Sequence, residues 1–239
     1  MAKTLLVCQE KGGVGKTLIA RGLAEILPGA PVIEVDAGPR MIELGKRVRF
    51  FPMRADRDEV DRTGGRAARG EFDNVIDAIA SATLPTIVDI GANTAVSLLT
   101  TIGGLAQDLS AAGVKVALMV VTTAEPGALA DTPKMMTLAA PWAAARFMID
   151  NRFRGAVDAK TLVRIAQGAV VTCLLDQALD AEAAEILQAG GLASIPRLDA
   201  ATLNKKYGIA LGSRIRRDLT RVRLDVMRAV RPAAEWLVA

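Results

Sequence analysis

The chain has 239 residues, of which 51% are hydrophobic and 23% charged, a composition typical of a folded globular protein. Histidine is absent and there are two cysteines, which excludes Ser-His-Asp catalysis, histidine-containing zinc sites and a disulfide framework. The cysteine content favours a cytoplasmic protein, and no apolar stretch approaches the roughly 20 residues that span a bilayer. The remaining reactive groups are carboxylates, Lys, Arg, hydroxyls and backbone amides, which serve phosphoryl transfer.

Short apolar runs alternate with helix-length segments along the whole chain. They predict strands at residues 4–9, 31–36, 85–90, 114–122 and 145–150, and helices at 16–27, 71–82, 95–111 and 127–139. Unbroken apolar strands suit a parallel sheet that is covered on both faces. We therefore predict a single domain over residues 1–239, with an α/β fold built on one doubly wound, mostly parallel sheet.

Four segments carry weaker patterns. Residues 40–69 mix basic and acidic side chains and predict solvated chain with a loop at 62–66. Residues 169–175 fit either a strand or a buried helix, and residues 190–196 predict a further short strand. Residues 213–230 predict a helix with Ser213 as its N-cap.

A glycine-rich loop lies between the first predicted strand and the first predicted helix. Glycines allow successive backbone amides to surround phosphate oxygens, and a helix N-terminus adds its positive end. The second lysine of the loop would neutralise phosphate charge, and the threonine hydroxyl would bind Mg²⁺. The predicted nucleoside-triphosphate site consists of Lys11, Gly12, Gly13, Val14, Gly15, Lys16 and Thr17.

The form of this loop is more specific than a general phosphate loop, because Glu10 replaces its first glycine and Lys11 precedes the remaining ones. The pattern K-G-G-x-G-K-T resembles the deviant Walker A motif of the ParA/MinD family of bacterial ATPases, which position plasmids, chromosomes, division sites and other cargo. The resemblance implies ATP and Mg²⁺ as cofactors and a homodimer that sandwiches two nucleotides. It also implies that Lys11 reaches the partner's phosphates, although charge alone equally allows a solvated neighbour.

Two predicted strands end in carboxylates at the sheet edge where open α/β sheets bind ligands. Glu34 and Asp36 occupy alternate positions and are expected to face the phosphate loop together. The stretch resembles the family's switch I, which implies that Asp36 orients the attacking water and holds the water shell of Mg²⁺; a helix cap is the alternative. The strand ending at Asp89 resembles Walker B and implies a role on Mg²⁺, with the Gly91 amide near the γ-phosphate. Arg40 is a remote candidate for a built-in arginine finger.

Asn151 ends a predicted strand where the resembled family carries a base-reading asparagine. Its amide can both donate to and accept from the edge of adenine, although asparagine is also a common turn residue. Pro196 would line the other side of the base. Residues 121–126 resemble the family's helix start near the dimer face.

The C-terminal part of the chain is basic, since residues 197–231 carry ten Lys and Arg against three Asp and Glu. Apolar residues in the predicted helix form one stripe, namely Ile215, Leu219, Val222, Val226 and Val230. Basic residues outside this stripe predict a footprint for nonspecific double-stranded DNA, and the candidates are Lys205, Lys206, Arg214, Arg217, Arg221 and Arg228. The alternative is a docked terminal helix with solvated arginines, and both can hold. A membrane surface is disfavoured because residues 232–239 carry no Lys or Arg.

Together these features predict a slow ATPase that dimerises with ATP, binds DNA in that state and is released by hydrolysis, stimulated by an activator protein that the sequence does not identify. Its role would be the partition, positioning or transfer of plasmid or chromosomal DNA or other cargo, with a resemblance to the plasmid partition and conjugal-transfer branch. Alternatives are a MinD-like membrane-surface ATPase, a metabolic P-loop ligase, an iron–sulfur reductase and a scaffold without turnover.

Overall fold

The computed structural model describes residues 2–54, 62–63, 69–176 and 178–239. Residues 64–66 of the predicted loop at 62–66 lie outside these ranges.

Within the described residues, seven strands form one sheet in the order β3-β2-β4-β1-β5-β6-β7. Every neighbouring pair is parallel, which confirms the predicted doubly wound α/β class. Strand β1 lies between β4 and β5, so the loop that follows it opens near the middle of the carboxyl edge. The strands are β1 (Ala2–Cys8), β2 (Val32–Asp36), β3 (Val48–Pro52), β4 (Thr86–Ile90), β5 (Val114–Thr122), β6 (Arg146–Asn151) and β7 (Val170–Leu174).

Helices cover both faces of this sheet. In the described ranges they are α1 (Lys16–Ile26), α2 (Arg69–Ala80), α3 (Ala95–Gly104), α4 (Ala106–Ala111), α5 (Pro126–Ala139), α6 (Ala159–Ala166), α7 (Ala181–Ser194), α8 (Ala200–Tyr207) and α9 (Ile209–Val238). Short 3₁₀ segments occupy Ile42–Arg47 and Ile195–Arg197. None of the described helices combines the length and the apolar character that crossing a membrane requires.

The alternation of side chains along each strand divides the core into two layers. Leu5 and Val7 of β1 pack with α1, α7 and α9 on one face, whereas Leu6 and Cys8 pack with α2, α3 and α5 on the other. Because both faces are buried, the central strands are apolar at most positions, with exceptions such as Lys3 and Asp89. This explains why continuous apolar runs located five of the seven strands.

Two sequence predictions need correction in the first half of the chain. The stretch predicted as merely solvated contains β3, which pairs with β2 and buries Phe51 while Arg49 stays exposed. The single helix predicted at 95–111 is two helices, because α3 ends at Gly104 and Leu105 separates it from α4. Charged residues masked the strand pattern of β3, and two consecutive glycines weaken the helix at the break.

The short strand predicted at 190–196 is wrong. This segment forms the end of α7 and the following 3₁₀ turn, with Leu192 and Ile195 buried at helical spacing. Gly191 has a φ of 61° there, and an added Cβ would lie 2.6 Å from Oε1 of Glu43. The ambiguous segment 169–175 is the edge strand β7.

The C-terminal helix is longer than predicted. It begins at Ile209 rather than at a Ser213 cap, because Gly208 (φ 82°) turns the chain directly from α8 into α9. Gly212 allows the close approach, since an added Cβ would lie 2.8 Å from the backbone of Leu203. The helix also continues through Pro232 to Val238, because its buried stripe extends to Leu237. Lys205 and Lys206, which precede the helix predicted at 213–230, belong to α8.

Candidate functional site

The glycine-rich loop connects the carboxyl end of β1 to the start of α1. Gly13 and Gly15 have φ values of 78° and 96°, a backbone conformation that favours glycine. Gly15 precedes the first helical residue, and no side chain caps the first turn of α1. The amides at this helix start are therefore available to an anion.

Lys16 reaches back over this loop. It is 8% exposed, and its Nζ donates a hydrogen bond to the backbone oxygen of Lys11 at 3.3 Å. Burial lowers the pKa of Lys16, while the nearby Asp89 carboxylate acts in the opposite direction. Lys16 lines a cavity of about 240 Å³ with the loop glycines, Thr17, Asp36, Arg40 and Ala92. The cavity thus combines backbone amides, an ammonium group and a hydroxyl, as phosphate binding requires.

Asp89 lies at the end of β4, directly opposite Glu34 of β2 in the sheet register. Burial raises its pKa to about 6, although the Thr17 hydroxyl and the Lys16 ammonium favour its charged form. Its Oδ1 is buried without a hydrogen-bond partner in the described part of the chain. A buried carboxylate oxygen beside a threonine hydroxyl fits the water shell of Mg²⁺.

The same described ranges contain no group of three or more acidic or cysteine side chains that could hold a metal by themselves. Mg²⁺ at this site would therefore depend on nucleotide phosphates and water as well as on Thr17. The cysteines do not favour the iron–sulfur alternative. Cys8 is fully buried in β1, with its thiol 3.7 Å from the sulfur of Met135.

Asp36 and Glu34 occupy alternate positions of β2 and differ in exposure and in hydrogen-bond partners. Asp36 lines the phosphate cavity and accepts hydrogen bonds from the Ala37 amide and from Nε of Arg40, both at 2.7 Å. Glu34 is 1% exposed, and its Oε1 accepts a hydrogen bond from the Arg40 amide at 2.6 Å. Burial raises the pKa of Glu34. Glu34 therefore fixes the backbone position of Arg40, whose side chain lines the cavity.

The Gly91 amide, which the resemblance places near the γ-phosphate, has a backbone partner in the described residues. This amide donates to the backbone oxygen of Val35 at 2.6 Å, so it belongs to the hydrogen bonding of β2. An added Cβ at Gly91 would lie 2.9 Å from the carboxyl carbon of Asp36, and glycine is needed for this close approach. Ala92, one residue later, lines the cavity instead.

Glu10 connects the phosphate loop to α3, a role that the sequence analysis missed. Its side chain accepts a hydrogen bond from the Val96 amide at the start of that helix, and its backbone oxygen accepts one from Asn93 at 3.1 Å. The sequence signal was the carboxylate at the position where a general phosphate loop has glycine. The contact spans more than 80 residues of sequence, which no local pattern reveals.

A second cavity, of about 230 Å³, adjoins the loop at Gly13 and Gly15. Asn151 lines it and donates a hydrogen bond from Nδ2 to the backbone oxygen of Val14 at 2.9 Å. The other lining residues are Leu18, Phe153, Leu174, Leu175, Asp176, Leu179, Leu187 and Val222. Pro196, expected on the other side of a base, is exposed and does not line this cavity. Its segment is helical, and α7 and α9 supply the wall instead.

Lys11 is exposed at the start of the phosphate loop. Its Cδ lies 3.7 Å from the position of an added Cβ on Gly127, in the first turn of α5. No described residue accepts a hydrogen bond from its ammonium group. The side chain therefore lies on the molecular surface beside the helix that follows residues 121–126.

The apolar stripe of the C-terminal helix packs as predicted, with Ile215, Leu219, Val222, Val226 and Val230 all buried. The candidate arginines on its outer side are close to carboxylates. Arg214 pairs with Asp180 at 2.6 Å, Arg228 pairs with Asp225 at 3.0 Å, and Arg217 and Arg221 each lie 3.5 Å from Asp218. Lys205 and Lys206 are exposed on α8. The basic surface is therefore partly neutralised within one chain.

No protein-family model matches the sequence, and no curated protein matches it. The chain is similar to the solved structure of the MinD cell division protein of Aquifex aeolicus, with 16% identity and a TM-score of 0.51 over 97% of each chain. McdA of Cyanothece, solved as an ATP complex, is 16% identical with a TM-score of 0.47, over 94% of this chain and 96% of that one. A plasmid partition protein from Borrelia burgdorferi is 15% identical with a TM-score of 0.44, over 72% of this chain and 88% of that one. The likeness to MinD confirms the resemblance to the ParA/MinD family at the level of the fold.

Proposed function

We propose that this chain is an ATPase of the ParA/MinD type, a switch that dimerises with ATP and serves the partition, positioning or transfer of DNA or other cargo. The observation that supports it best is the phosphate cavity, in which Lys16, Thr17 and Asp36 converge on the glycine-rich loop. Lys11, exposed at the start of the same loop, adds a second lysine outside that cavity.

ATP would bind with its phosphates in the cavity below the start of α1 and its base in the adjoining cavity. Amides of residues 12–17 and Lys16 would hold the phosphates. Because Nδ2 of Asn151 is engaged with Val14, its Oδ1 is the group that would accept a hydrogen bond from the adenine amino group. Mg²⁺, held by the Thr17 hydroxyl with Asp89 in its water shell, would neutralise phosphate charge.

Hydrolysis would depend on Asp36, the carboxylate that lines the phosphate cavity. Its Oδ2 is engaged with Arg40. The γ-phosphate of ATP would attract the guanidinium and release this oxygen to orient a water molecule. We expect slow turnover, because an arginine supplied by an activator protein is the usual means of fast phosphoryl transfer.

The ATP-bound homodimer would form through the surface that carries Lys11. The Lys11 ammonium is exposed and has no described partner, and a partner's phosphates would offset the loss of its hydration with a charge-assisted hydrogen bond. ADP lacks the terminal phosphate and would support this contact less well. Dimerisation is thereby tied to the triphosphate.

DNA binding would be weak in one chain, because Asp180, Asp218 and Asp225 lie beside the arginines of α9. A dimer presents two such surfaces. Since affinity rises steeply with the number of phosphate contacts, the ATP-bound dimer would bind nonspecific double-stranded DNA at low salt and lose it at high salt. We place the protein in the cytoplasm, associated with the nucleoid in its ATP state, and regard a membrane surface as the less favoured alternative.

DNA co-sedimentation tests this proposal with the intact chain in ATP, in ADP and without nucleotide, at two salt concentrations. Wild type should bind DNA only with ATP and more strongly at low salt. Lys11→Ala and Arg217→Glu/Arg221→Glu should both lose binding, and only the first should also lose ATP-dependent dimerisation.

The matched control is Lys115→Glu/Lys134→Glu, which makes the same change in charge at exposed positions outside α9. It should bind DNA as wild type does. Equal losses in both double variants would show a nonspecific effect of net charge. A chain that dimerises with ATP but never binds DNA would contradict the DNA part and leave the nucleotide switch intact.

A further inference from the structure

The two edges of the sheet differ in how they are protected. The β3 edge carries Arg49 and Pro52, residues typical of strands that avoid further pairing. The β7 edge reads Val-Val-Thr-Cys-Leu, without charge or proline. Val170 and Val171 are 50% and 39% exposed, and Cys173 is also exposed. An uncharged, apolar edge strand of this kind is a template for pairing with another strand.

The backbone of β7 offers hydrogen-bonding groups on its outer side. The oxygen of Leu174 accepts a bond from the Arg152 amide, so Leu174 points toward β6. Backbone groups of successive residues in a strand alternate in direction. Thr172 therefore also points toward β6, whereas Val171 and Cys173 direct their N–H and C=O groups away from the sheet. In the described ranges these outward groups have no backbone partner.

Apolar and charged residues are also exposed in the segments that precede and follow this strand in the chain. Val163 of α6 is 75% exposed, and Leu175 directly after β7 is 50% exposed. Arg164 is exposed in the last turn of α6, near the start of β7, and Asp176 is exposed just beyond its end. The edge therefore has a basic end, an apolar centre and an acidic end.

We propose that β7 pairs in antiparallel fashion with β7 of a second copy of this chain, so that two sheets join into one across a two-fold axis. Antiparallel pairing places the start of one strand beside the end of the other, which brings Arg164 of each copy toward Asp176 of its partner. A register centred on Thr172 pairs Val171 with Cys173 of the partner strand and engages all their outward backbone groups. An isologous contact of this type closes after two copies.

This surface is distinct from the one proposed for ATP-dependent dimerisation. Its centre, Val171 and Cys173, lies at the edge of the sheet and contains no residue of the phosphate loop or of either cavity, and only Leu175 and Asp176 at its acidic end also line the cavity proposed for the base. The dimer should therefore form equally well without nucleotide and in the Lys11→Ala variant. Failure of the edge contact would leave the proposed ATPase untouched, and failure of the ATP-dependent dimer would leave the edge contact untouched.

Analytical ultracentrifugation of the intact, nucleotide-free chain tests the proposal. Wild type should associate to a dimer at concentrations on the order of 100 μM or below, and Val171→Lys should weaken that association by about tenfold or more. Val171→Pro, which removes one outward N–H, should act in the same direction. The matched control is Leu84→Lys at an exposed loop leucine, which should leave the association unchanged.

Hydrogen exchange on wild type provides a measurement that depends on no variant. The amides of Val171 and Cys173 should exchange more slowly as the protein concentration rises, while exposed amides elsewhere should not change. A chain that stays monomeric at these concentrations, or a dimer that Val171→Lys and Leu84→Lys affect equally, would overturn the proposal.

Discussion

Nε of Arg40 donates a hydrogen bond to Oδ2 of Asp36 at 2.7 Å, and the amide of the same arginine donates to Oε1 of Glu34 at 2.6 Å. Two carboxylates from one strand thus hold a single arginine through its side chain and its backbone. Because Arg40 and Asp36 both line the phosphate cavity, this arrangement connects phosphate binding to the proposed catalytic carboxylate.

Replacing Arg40 should distinguish ATP from ADP. We expect Arg40→Ala to weaken ATP binding by about tenfold, the value of one charge-assisted hydrogen bond, and to weaken ADP binding less, because the terminal phosphate is lacking. Isothermal titration calorimetry with both nucleotides measures the difference. Arg49→Ala, at an exposed arginine of β3, is the control; equal losses for ATP and ADP would show that Arg40 does not contact the terminal phosphate.

Asp89 should make stability depend on pH. Its pKa rises from 3.8 to about 6 on folding because the carboxyl is buried, so the folded chain binds the proton more tightly than the unfolded chain does. The free energy of unfolding should therefore fall by up to about 3 kcal/mol as pH rises from about 4 to about 6, and change little above. Urea unfolding across this range should show the fall in wild type.

Asp89→Asn should remove that part of the pH dependence, because no proton is then taken up at this position. Asp73→Asn, at an exposed carboxylate of α2, is the matched control and should keep it. Since the charged form of Asp89 suits Mg²⁺, binding of Mg²⁺ with ATP should also weaken below about pH 6 in wild type. An Asp89→Asn variant with an unchanged stability profile would contradict the assignment.

Close packing joins the helix that follows the phosphate loop to the C-terminal helix. A Cβ added at Gly22 of α1 would overlap Cγ1 of Val226, and Glu25 pairs with Arg223 one turn away at 2.5 Å. Gly22→Ala should therefore lower the free energy of unfolding by about 1–3 kcal/mol, despite the better helix propensity of alanine.

Gly70→Ala is the control for that prediction, because an added Cβ at Gly70 of α2 meets no described atom within 4 Å. It should leave stability unchanged or raise it by up to about 1 kcal/mol. The double variant Gly22→Ala/Val226→Ala should lose less than the sum of its single changes. Additive losses in urea unfolding would show that the overlap does not decide the effect.

Asn151 should contribute to base selection as well as to loop structure. We expect Asn151→Ala to weaken ATP and GTP binding together, because Val14 loses its hydrogen bond, and to reduce the preference for ATP by about tenfold. Competition titrations with both nucleotides measure the ratio. Asn74→Ala, at an exposed asparagine of α2, should change neither affinity, and an unchanged ATP-to-GTP ratio in Asn151→Ala would limit Asn151 to holding the loop.

The features that the sequence alone determined are those formed by neighbouring residues. Residues 11–17 form the phosphate loop because consecutive glycines allow its backbone conformation, and the central strands follow from continuous apolar runs. Asp36 and Asp89 were located because a strand end is visible as a change from apolar to charged residues. Lys11 was singled out by its place before the glycines.

The remaining features depend on contacts between distant residues, which only the tertiary structure decided. Gly91 has its amide engaged by Val35, and the second cavity has a wall that includes Val222 rather than Pro196. Residues 192–196 form a helical turn after a break at Gly191, because burial of Leu192 and Ile195 outweighs the strand-like local pattern. In these regions the free energy gained from contacts with distant elements is larger than the secondary-structure propensity of the local sequence, so the contacts decide the conformation.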